Sequence, residues 1–494
     1  MGNVARARQL IADLRAAGVT DVCVCAGSRN SPLLVAVGTT PGLAIYSFVD
    51  ERSAAFFALG RAKLRQRPVA VITTSGTAVA EMLPAAIEAF YSGVPLVLVS
   101  ADRPARFRGT GAPQCIDQET LFGPHADTSI DEWRRDRPLH INLEFDEPLI
   151  DADEVAEEHS SLSVARWSPH AEPMGREPRD LPFARPVVIL GGVDAKSRER
   201  VRDFCLALSA PVYAEPLSGL REDSALAHLA ITSGERMLAR GRFDGVIRIG
   251  NIPTLRFWRD LEESRRDLPV VHFSSLPFAG MTRGEVLPLE ALPHPTARDR
   301  DDGFFARDRE QAAKLAAVLD EEPESELAML RALSLALSER TRLYLGNSLP
   351  IREWDLVASR ESRPVDVQAS RGANGIDGQL STFFGQCAPE ADNLCVVGDL
   401  TAIYDLNAPW IVPQLGDVRF RIVIVNNGGG RIFSRVTSMR ALGDPLRERL
   451  VENAHTIRFD HWSAMWGIED RVTELRPDPE ASRRAWARYD DLWA

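Results

Sequence analysis

Asn393-Leu-Cys-Val-Val-Gly-Asp399 and Phe420-Arg-Ile-Val-Ile-Val-Asn-Asn-Gly-Gly-Gly430 are the stretches that decide the fold. Each is a short apolar run that stops abruptly at polar, turn-forming residues. Apolar runs of strand length, nearly continuous rather than alternating, are expected where both faces of a sheet are covered, as in parallel sheets. The same unit recurs on working outward. Upstream, a helix over Val4–Ala17 presents Leu10, Ile11 and Leu14 on one face and stops at Gly18. A strand Asp21–Cys25 runs into the loop Ala26–Pro32, and Asp50 reads as the N-cap of a helix from Glu51 to about Leu64. Strand Pro68–Thr73, turn Ser75–Thr77, helix Ala78–Tyr91 and strand Pro95–Ser100 follow. A Pro-rich stretch, Ser168–Pro186, reads as a linker, after which the pattern restarts with strand Val187–Gly191 and a helix through Val201–Ser209. Strands Pro211–Ala214, Gly245–Gly250 and Pro269–Phe273 complete that unit. A second linker, Pro293–Gly303, precedes strand Arg342–Leu345 and the two quoted strands, while residues beyond about Ile468 read as a fraying helical tail without chemistry. Strand–helix alternation in three restarts predicts an α/β protein of three doubly wound parallel-sheet domains, at residues 1–165, 180–300 and 320–494.

Composition agrees with that class. The chain has 494 residues, 45% of them hydrophobic and 26% charged, the balance of an ordinary globular protein. Its 58 Lys+Arg against 70 Asp+Glu leave a formal charge of −12, which argues against a general nucleic-acid binder. Net charge speaks to solubility and steering, so local basic pockets for anions remain compatible with it. Six cysteines without a Cys-x-x-Cys, and nine histidines without ligand spacing, predict reduced structural thiols. The N-terminus lacks a secretory apolar core, Arg6 stands where a myristoylation signal needs Ser or Thr, and no run is long enough for a membrane span. A cytoplasmic protein that binds neither membrane nor nucleic acid is expected.

Asp399 and the pair Asn426-Asn427 stand at the C-terminal ends of parallel strands, the edge at which open α/β sheets bind ligands. Asp, Asn and a main-chain carbonyl are hard oxygen donors suited to Mg²⁺, with coordination positions left for diphosphate oxygens. The same residues also read as a helix cap and a turn. The pair resembles the thiamine-diphosphate signature, Gly-Asp-Gly followed by Asn-Asn, with Leu400 in place of the last Gly. That resemblance implies two similar α/β domains, one holding the pyrimidine and one the diphosphate, with a third between them. It also calls for a glutamate after the second strand of the first domain. Phe48-Val-Asp-Glu51-Arg-Ser-Ala-Ala-Phe-Phe57 meets that requirement. A desolvated Glu51 can hold its proton near neutral pH and relay it to the aminopyrimidine ring, or it is simply a first-turn acid on the helix dipole.

Seven further motifs occur in order. They are Gly27-Ser-Arg-Asn-Ser-Pro-Leu33, Asp50-Glu-Arg52, Thr74-Ser-Gly-Thr-Ala78 and Ser100-Ala-Asp-Arg-Pro104, then His140-Ile-Asn-Leu143, Gly346-Asn-Ser-Leu-Pro-Ile-Arg352 and Arg371-Gly-Ala-Asn-Gly-Ile-Asp-Gly378. Together they resemble the 2-succinyl-5-enolpyruvyl-6-hydroxy-3-cyclohexene-1-carboxylate synthases, thiamine-diphosphate enzymes of menaquinone biosynthesis. The resemblance runs from about residue 4 to residue 467 and is thin in the middle unit. It implies a transferase/decarboxylase that decarboxylates 2-oxoglutarate and adds the succinyl carbanion equivalent to isochorismate, with thiamine diphosphate and Mg²⁺ (or Mn²⁺) as cofactors. A homodimer or dimer of dimers is implied, because the family builds its site across two subunits.

By the same resemblance Asp399, Asn427 and the carbonyl of Gly429 bind the metal, and Glu51, Leu400 and Ile376 contact the cofactor, Ile376 as the wedge between its rings. Ile432, Phe433 and Val436 line an apolar pocket. Both substrates are dicarboxylates, and Arg grips carboxylates with a planar fork that stays charged. Arg29, Arg103, Arg352 and Arg371 match substrate-binding positions, with Ser28, Gln114 and Ser348 as hydrogen-bonding neighbours and Arg256 contributed by the middle domain. Two departures stand out: Ser129–Pro138 is short where the family has a helix, and Arg435 stands where the family is apolar. The alternatives are another thiamine-diphosphate 2-oxoacid decarboxylase or carboligase, and an inactive shortened homologue acting as a scaffold.

Overall fold

The computed structural model describes residues 2–150, 181–361 and 365–494. Its described residues form three five-stranded sheets, parallel throughout. The first contains β1 (Asp21–Cys25), β2 (Ala44–Phe48), β3 (Val69–Thr73), β4 (Leu96–Asp102) and β5 (Leu139–Glu144), in the order β2-β1-β3-β4-β5. The second contains β6 (Pro186–Leu190), β7 (Val212–Ala214), β8 (Gly245–Ile249), β9 (Val270–Phe273) and β10 (Val286–Leu287), ordered β10-β9-β8-β6-β7. In the third, β11 (Thr341–Leu345), β12 (Asp366–Gln368), β13 (Asp392–Gly398), β14 (Phe420–Val425) and β15 (Val472–Leu475) run in the order β12-β11-β13-β14-β15. The doubly wound α/β class read from the sequence is therefore the class observed.

The strand order reverses beside the first strand of each sheet, between β1 and β3, β6 and β8, and β11 and β13. A doubly wound sheet opens a ligand crevice at such a reversal, outside the carboxyl ends of the strands. In the third sheet Gly398 lies opposite Val425, so Asp399 and the Asn426–Gly430 loop leave the same edge side by side. The central strands β1, β3 and β4 are buried at every position, which explains their continuous apolar runs.

The chain packs as two compact units. One holds the first sheet together with residues 370–390 and 401–419; the other holds the second and third sheets. In the first unit the helix Glu51–Arg65 crosses the helix Gln379–Gln386 at glycines on both sides. A Cβ on Gly60 would stand 2.1 Å from the Thr382 carbonyl oxygen, and one on Gly385 would stand 2.1 Å from that of Phe57. Only glycine allows backbones to approach so closely.

Several boundaries differ from the sequence reading. The helix expected over Ala78–Tyr91 is two helices, Thr77–Glu81 and Leu83–Ser92. Pro84 lacks an N–H and its ring excludes the carbonyl of Ala80, which breaks the ladder there. The second linker ends at Asp301, whose carboxylate accepts the Phe304 N–H at 2.8 Å and caps the helix Asp302–Glu321. The tail is not frayed: β15 pairs with β14, and the helix Pro479–Asp491 buries Ala485 and Tyr489. Of the first linker, residues 168–180 lie outside the described residues, as do the expected boundaries at 165 and 180, and Pro186 already opens β6. Ser129–Pro138 contains turns and bends without a helix, anchored by the buried Trp133, whose Nε1 donates to the Arg137 carbonyl at 2.7 Å.

Candidate active site

In the third sheet, the Asp399 carboxylate is 3% exposed and accepts the N–H groups of Gly428 and Gly429, each at 2.9 Å, and that of Leu400 at 2.6 Å. His455 Nε2 lies 3.3 Å away. Burial pushes the Asp399 carboxyl above the ordinary carboxylate range, and these N–H groups and His455 oppose that shift. Gly429 has φ 136°, and a Cβ there would stand 2.6 Å from the Glu452 carbonyl oxygen. Glu452 is itself fully buried and bonded to Arg431 at 2.6 Å and Arg447 at 2.7 Å, so the glycine loop rests on a braced wall.

Asn427 donates through Nδ2 to both oxygens of Glu326, at 3.2 and 3.0 Å. Its Oδ1 is buried and makes no hydrogen bond. An orphaned buried acceptor costs free energy unless something else meets it. Asp399, the unpaired Asn427 Oδ1 and the Gly429 carbonyl are hard oxygen donors on adjoining loops, the donor type that suits a cation such as Mg²⁺. Glu326 was missed from sequence, because the last acid of the acidic run Asp320-Glu-Glu-Pro-Glu-Ser-Glu326 looks like any solvated charge. Behind it Glu353 is fully buried, with Glu326, Trp486 and Arg435 as its polar neighbours. Burial first, and Glu326 second, push its carboxyl well up.

Leu400, Ile432 and Phe433 are half-buried beside this loop, while Val436 is exposed. Arg435 lies 3.4 Å over the Trp486 ring and 3.3 Å from Asp490 on the C-terminal helix. The charge is thereby accommodated by the very tail that sequence reading had left without a role. Across the β11–β13 reversal stands Ser348, a non-glycine residue at φ 73°, a costly conformation that persists only where its surroundings enforce it. Its carbonyl accepts Arg352 Nη1 at 2.6 Å. Burial lowers the pKa of Arg352, and Glu235 and Glu215 offset part of that shift. The same two glutamates accept backbone N–H groups of the 254–257 segment. That links the Arg256 loop to Arg352, although the Arg256 side chain is itself exposed and 3.6 Å from Asp260.

In the first unit Glu51 opens its helix, with Asp50 accepting the Ser53 N–H at 3.1 Å as the expected N-cap. Burial raises the Glu51 carboxyl above its ordinary range. Ser28 and Arg29 sit on the loop after β1, shaped by buried Asn30, which accepts from Gly27 N–H at 2.9 Å and donates to the Cys25 carbonyl at 2.8 Å. Arg29 donates to the Phe145 carbonyl at 2.9 Å and lies 3.4 Å from Glu147. Arg103 donates to the Pro113 carbonyl at 2.9 Å, beside exposed Gln114 at φ 56°. Fully buried Gln118 ties that segment to Gly76 N–H at 2.8 Å. Ser28, Arg29, Glu51, Arg103 and Gln114 therefore gather at the carboxyl edge of the first sheet. Arg371 and Ile376 form a second group, on a loop fixed to the helices Glu51–Arg65 and Leu83–Ser92.

A carboxyl raised by burial at one sheet edge, and hard oxygen donors at another, match the plan of a thiamine-diphosphate enzyme. Residues 5–121 match the family described as "Thiamine pyrophosphate enzyme, N-terminal TPP binding domain". Over an alignment 538 positions long the chain is 39% identical to the 2-succinyl-5-enolpyruvyl-6-hydroxy-3-cyclohexene-1-carboxylate synthase of Bdellovibrio bacteriovorus, covering 100% of both chains. Synthases of the same name from Akkermansia muciniphila and Geobacillus kaustophilus are 37% and 33% identical, covering 93% of this chain in each case and 90% and 89% of theirs. The chain belongs to the 2-succinyl-5-enolpyruvyl-6-hydroxy-3-cyclohexene-1-carboxylate synthase family.

Proposed function

We propose that this chain decarboxylates 2-oxoglutarate and joins the remaining four-carbon unit to isochorismate, with release of CO2, in menaquinone biosynthesis. The observation that carries the reading at residue level is Asn427 Oδ1, buried and unpaired on the loop whose Gly428 and Gly429 N–H groups bind Asp399. Asp399, Asn427 and the Gly429 carbonyl would hold Mg²⁺ (or Mn²⁺), which would neutralise charge on the diphosphate of thiamine diphosphate. Thiamine diphosphate, when bound, supplies a nucleophilic carbon and an electron sink for decarboxylation. Glu51 holds the proton exchanged with the aminopyrimidine nitrogen, a task its raised pKa suits. Arg29, Arg103, Arg352 and Arg371 bind substrate carboxylates, with Ser28, Gln114, Ser348 and Arg256 in support. Ile376 wedges the cofactor, and Leu400, Ile432, Phe433 and Val436 give it a less polar surrounding.

We assign the pyrimidine to the domain at 1–165 and the diphosphate to that at 320–494, with the domain at 180–300 as the one that lies between them in the chain. A homodimer or dimer of dimers completes the site, in the cytoplasm. Six free cysteines support a reducing compartment, and among the described residues no helix is long and apolar enough to cross a membrane.

Glu51→Gln tests the mechanism. We expect calorimetry to show thiamine diphosphate binding with Mg²⁺ close to that of the unmodified protein, and 2-oxoglutarate decarboxylation slower by about 100-fold or more. Unchanged turnover would remove Glu51 from the chemistry.

A further inference from the structure

Glu88 lies on the helix Leu83–Ser92, 3% exposed, and no step described above uses it. Its Oε1 accepts the Gly372 N–H at 2.8 Å and the Ser92 hydroxyl at 3.0 Å. Its Oε2 accepts the Ala373 N–H at 2.6 Å. One carboxylate thus spans two consecutive backbone donors from a turn far away in sequence, in charge-assisted bonds of the strong kind. The turn also rests directly on the helix. A Cβ on Gly372 would stand 2.5 Å from the Glu88 carbonyl oxygen and 2.7 Å from the Ser92 hydroxyl. The residue before Gly372 is Arg371.

We propose that Glu88 is a positioning residue, clamping the Gly372–Ala373 turn so that Arg371 is held in the orientation that receives a substrate carboxylate. The proposal rests on the reading of Arg371 as a substrate ligand. A glutamate is required because both of its oxygens accept. Glutamine would turn an NH2 group toward one of the two N–H groups, and that donor pair repels. Aspartate keeps both acceptors but is one methylene shorter, and restores the clamp in part. The other end of the loop is seated separately, where Gly378 at φ 60° meets the Phe56 ring, so the Ile376 end does not depend on Glu88.

The test uses full-length protein loaded with thiamine diphosphate and Mg²⁺, with CO2 release from 2-oxoglutarate giving KM and kcat. E88Q, E88D, R371A and the E88Q/R371A double variant are compared, with thermal midpoint and cofactor affinity measured alongside. We expect E88Q to raise KM about 10-fold or more, since small misplacements of a binding group cost up to about 100-fold. Cofactor affinity stays within about 2-fold, E88D recovers part of the KM, and E88Q adds nothing in the R371A background, as coupled residues behave. An unchanged KM in E88Q, or an equal further loss in the R371A background, overturns the proposal. Should E88Q fail to fold, G372A lifts the same turn while keeping Glu88; it must raise KM likewise, and a normal KM there overturns the clamp. If R371A itself leaves KM unchanged, the substrate reading of Arg371 falls, and the proposal falls with it.

Discussion

Asn427 shows how a side chain acquires a direction. Its amide would be free to turn, but a carboxylate can only accept, so Glu326 fixes Nδ2 on itself and leaves Oδ1 facing the other way. Partners that orient a metal ligand in this fashion change metal affinity by about 10–100-fold when removed. We therefore expect Glu326→Leu to weaken Mg²⁺ by about 10-fold or more, read from Mg²⁺ titrations of thiamine diphosphate binding in a protein whose thermal midpoint is retained. Undiminished Mg²⁺ affinity would show that Glu326 serves the core alone. The placement of Asp399 and Asn427 at strand ends and of Glu51 at a helix start was legible in the sequence, because each follows a recognisable strand or cap. Glu326, Glu88 and His455 were not. Their partners lie 101 and 284 residues away, in the cases of Asn427 and Gly372, and nothing local marks them.

Elements followed the sequence where burial was uniform. The fully buried strands β1, β3 and β4 could be read from their apolar runs, and the Asp50 cap placed the start of the Glu51 helix to the residue. β15 could not be read, since Val-Thr-Glu-Leu carries a charge and is only partly buried. The helix crossing in the first unit was equally silent: Gly60 and Gly385 are small residues within apolar helices, and only the fold shows that each touches the other's backbone. Adding one methyl there forces the helices apart, and overpacking typically costs about 1–3 kcal/mol. We expect Gly60→Ala to destabilise the first unit by at least the upper end of that range, visible as a lower denaturant midpoint with an unchanged slope. A midpoint equal to that of the unmodified protein would mean the crossing is looser than it stands.

For the whole molecule, the charge of −12 and the proposed affinity for dicarboxylates pull in opposite directions. The resolution is local. Arg29, Arg103 and Arg352 each donate to a neutral carbonyl oxygen, of Phe145, Pro113 and Ser348, which orients the guanidinium group, while Glu147 near Arg29 and Glu235 and Glu215 near Arg352 offset part of the charge. The three-sheet plan was legible because each restart of strand–helix alternation is independent of the others. How residues 370–390 and 401–419 join the first sheet was not, because that depends on packing between segments distant in sequence. The central claim, a carboligation of two dicarboxylates, is tested most directly by incubating full-length protein with 2-oxoglutarate and isochorismate, with and without Mg²⁺ and thiamine diphosphate, and following product by mass spectrometry. We expect 2-succinyl-5-enolpyruvyl-6-hydroxy-3-cyclohexene-1-carboxylate only when both cofactors are present, and negligible turnover when pyruvate replaces 2-oxoglutarate. No product from the complete mixture, or equal turnover of pyruvate, would contradict it.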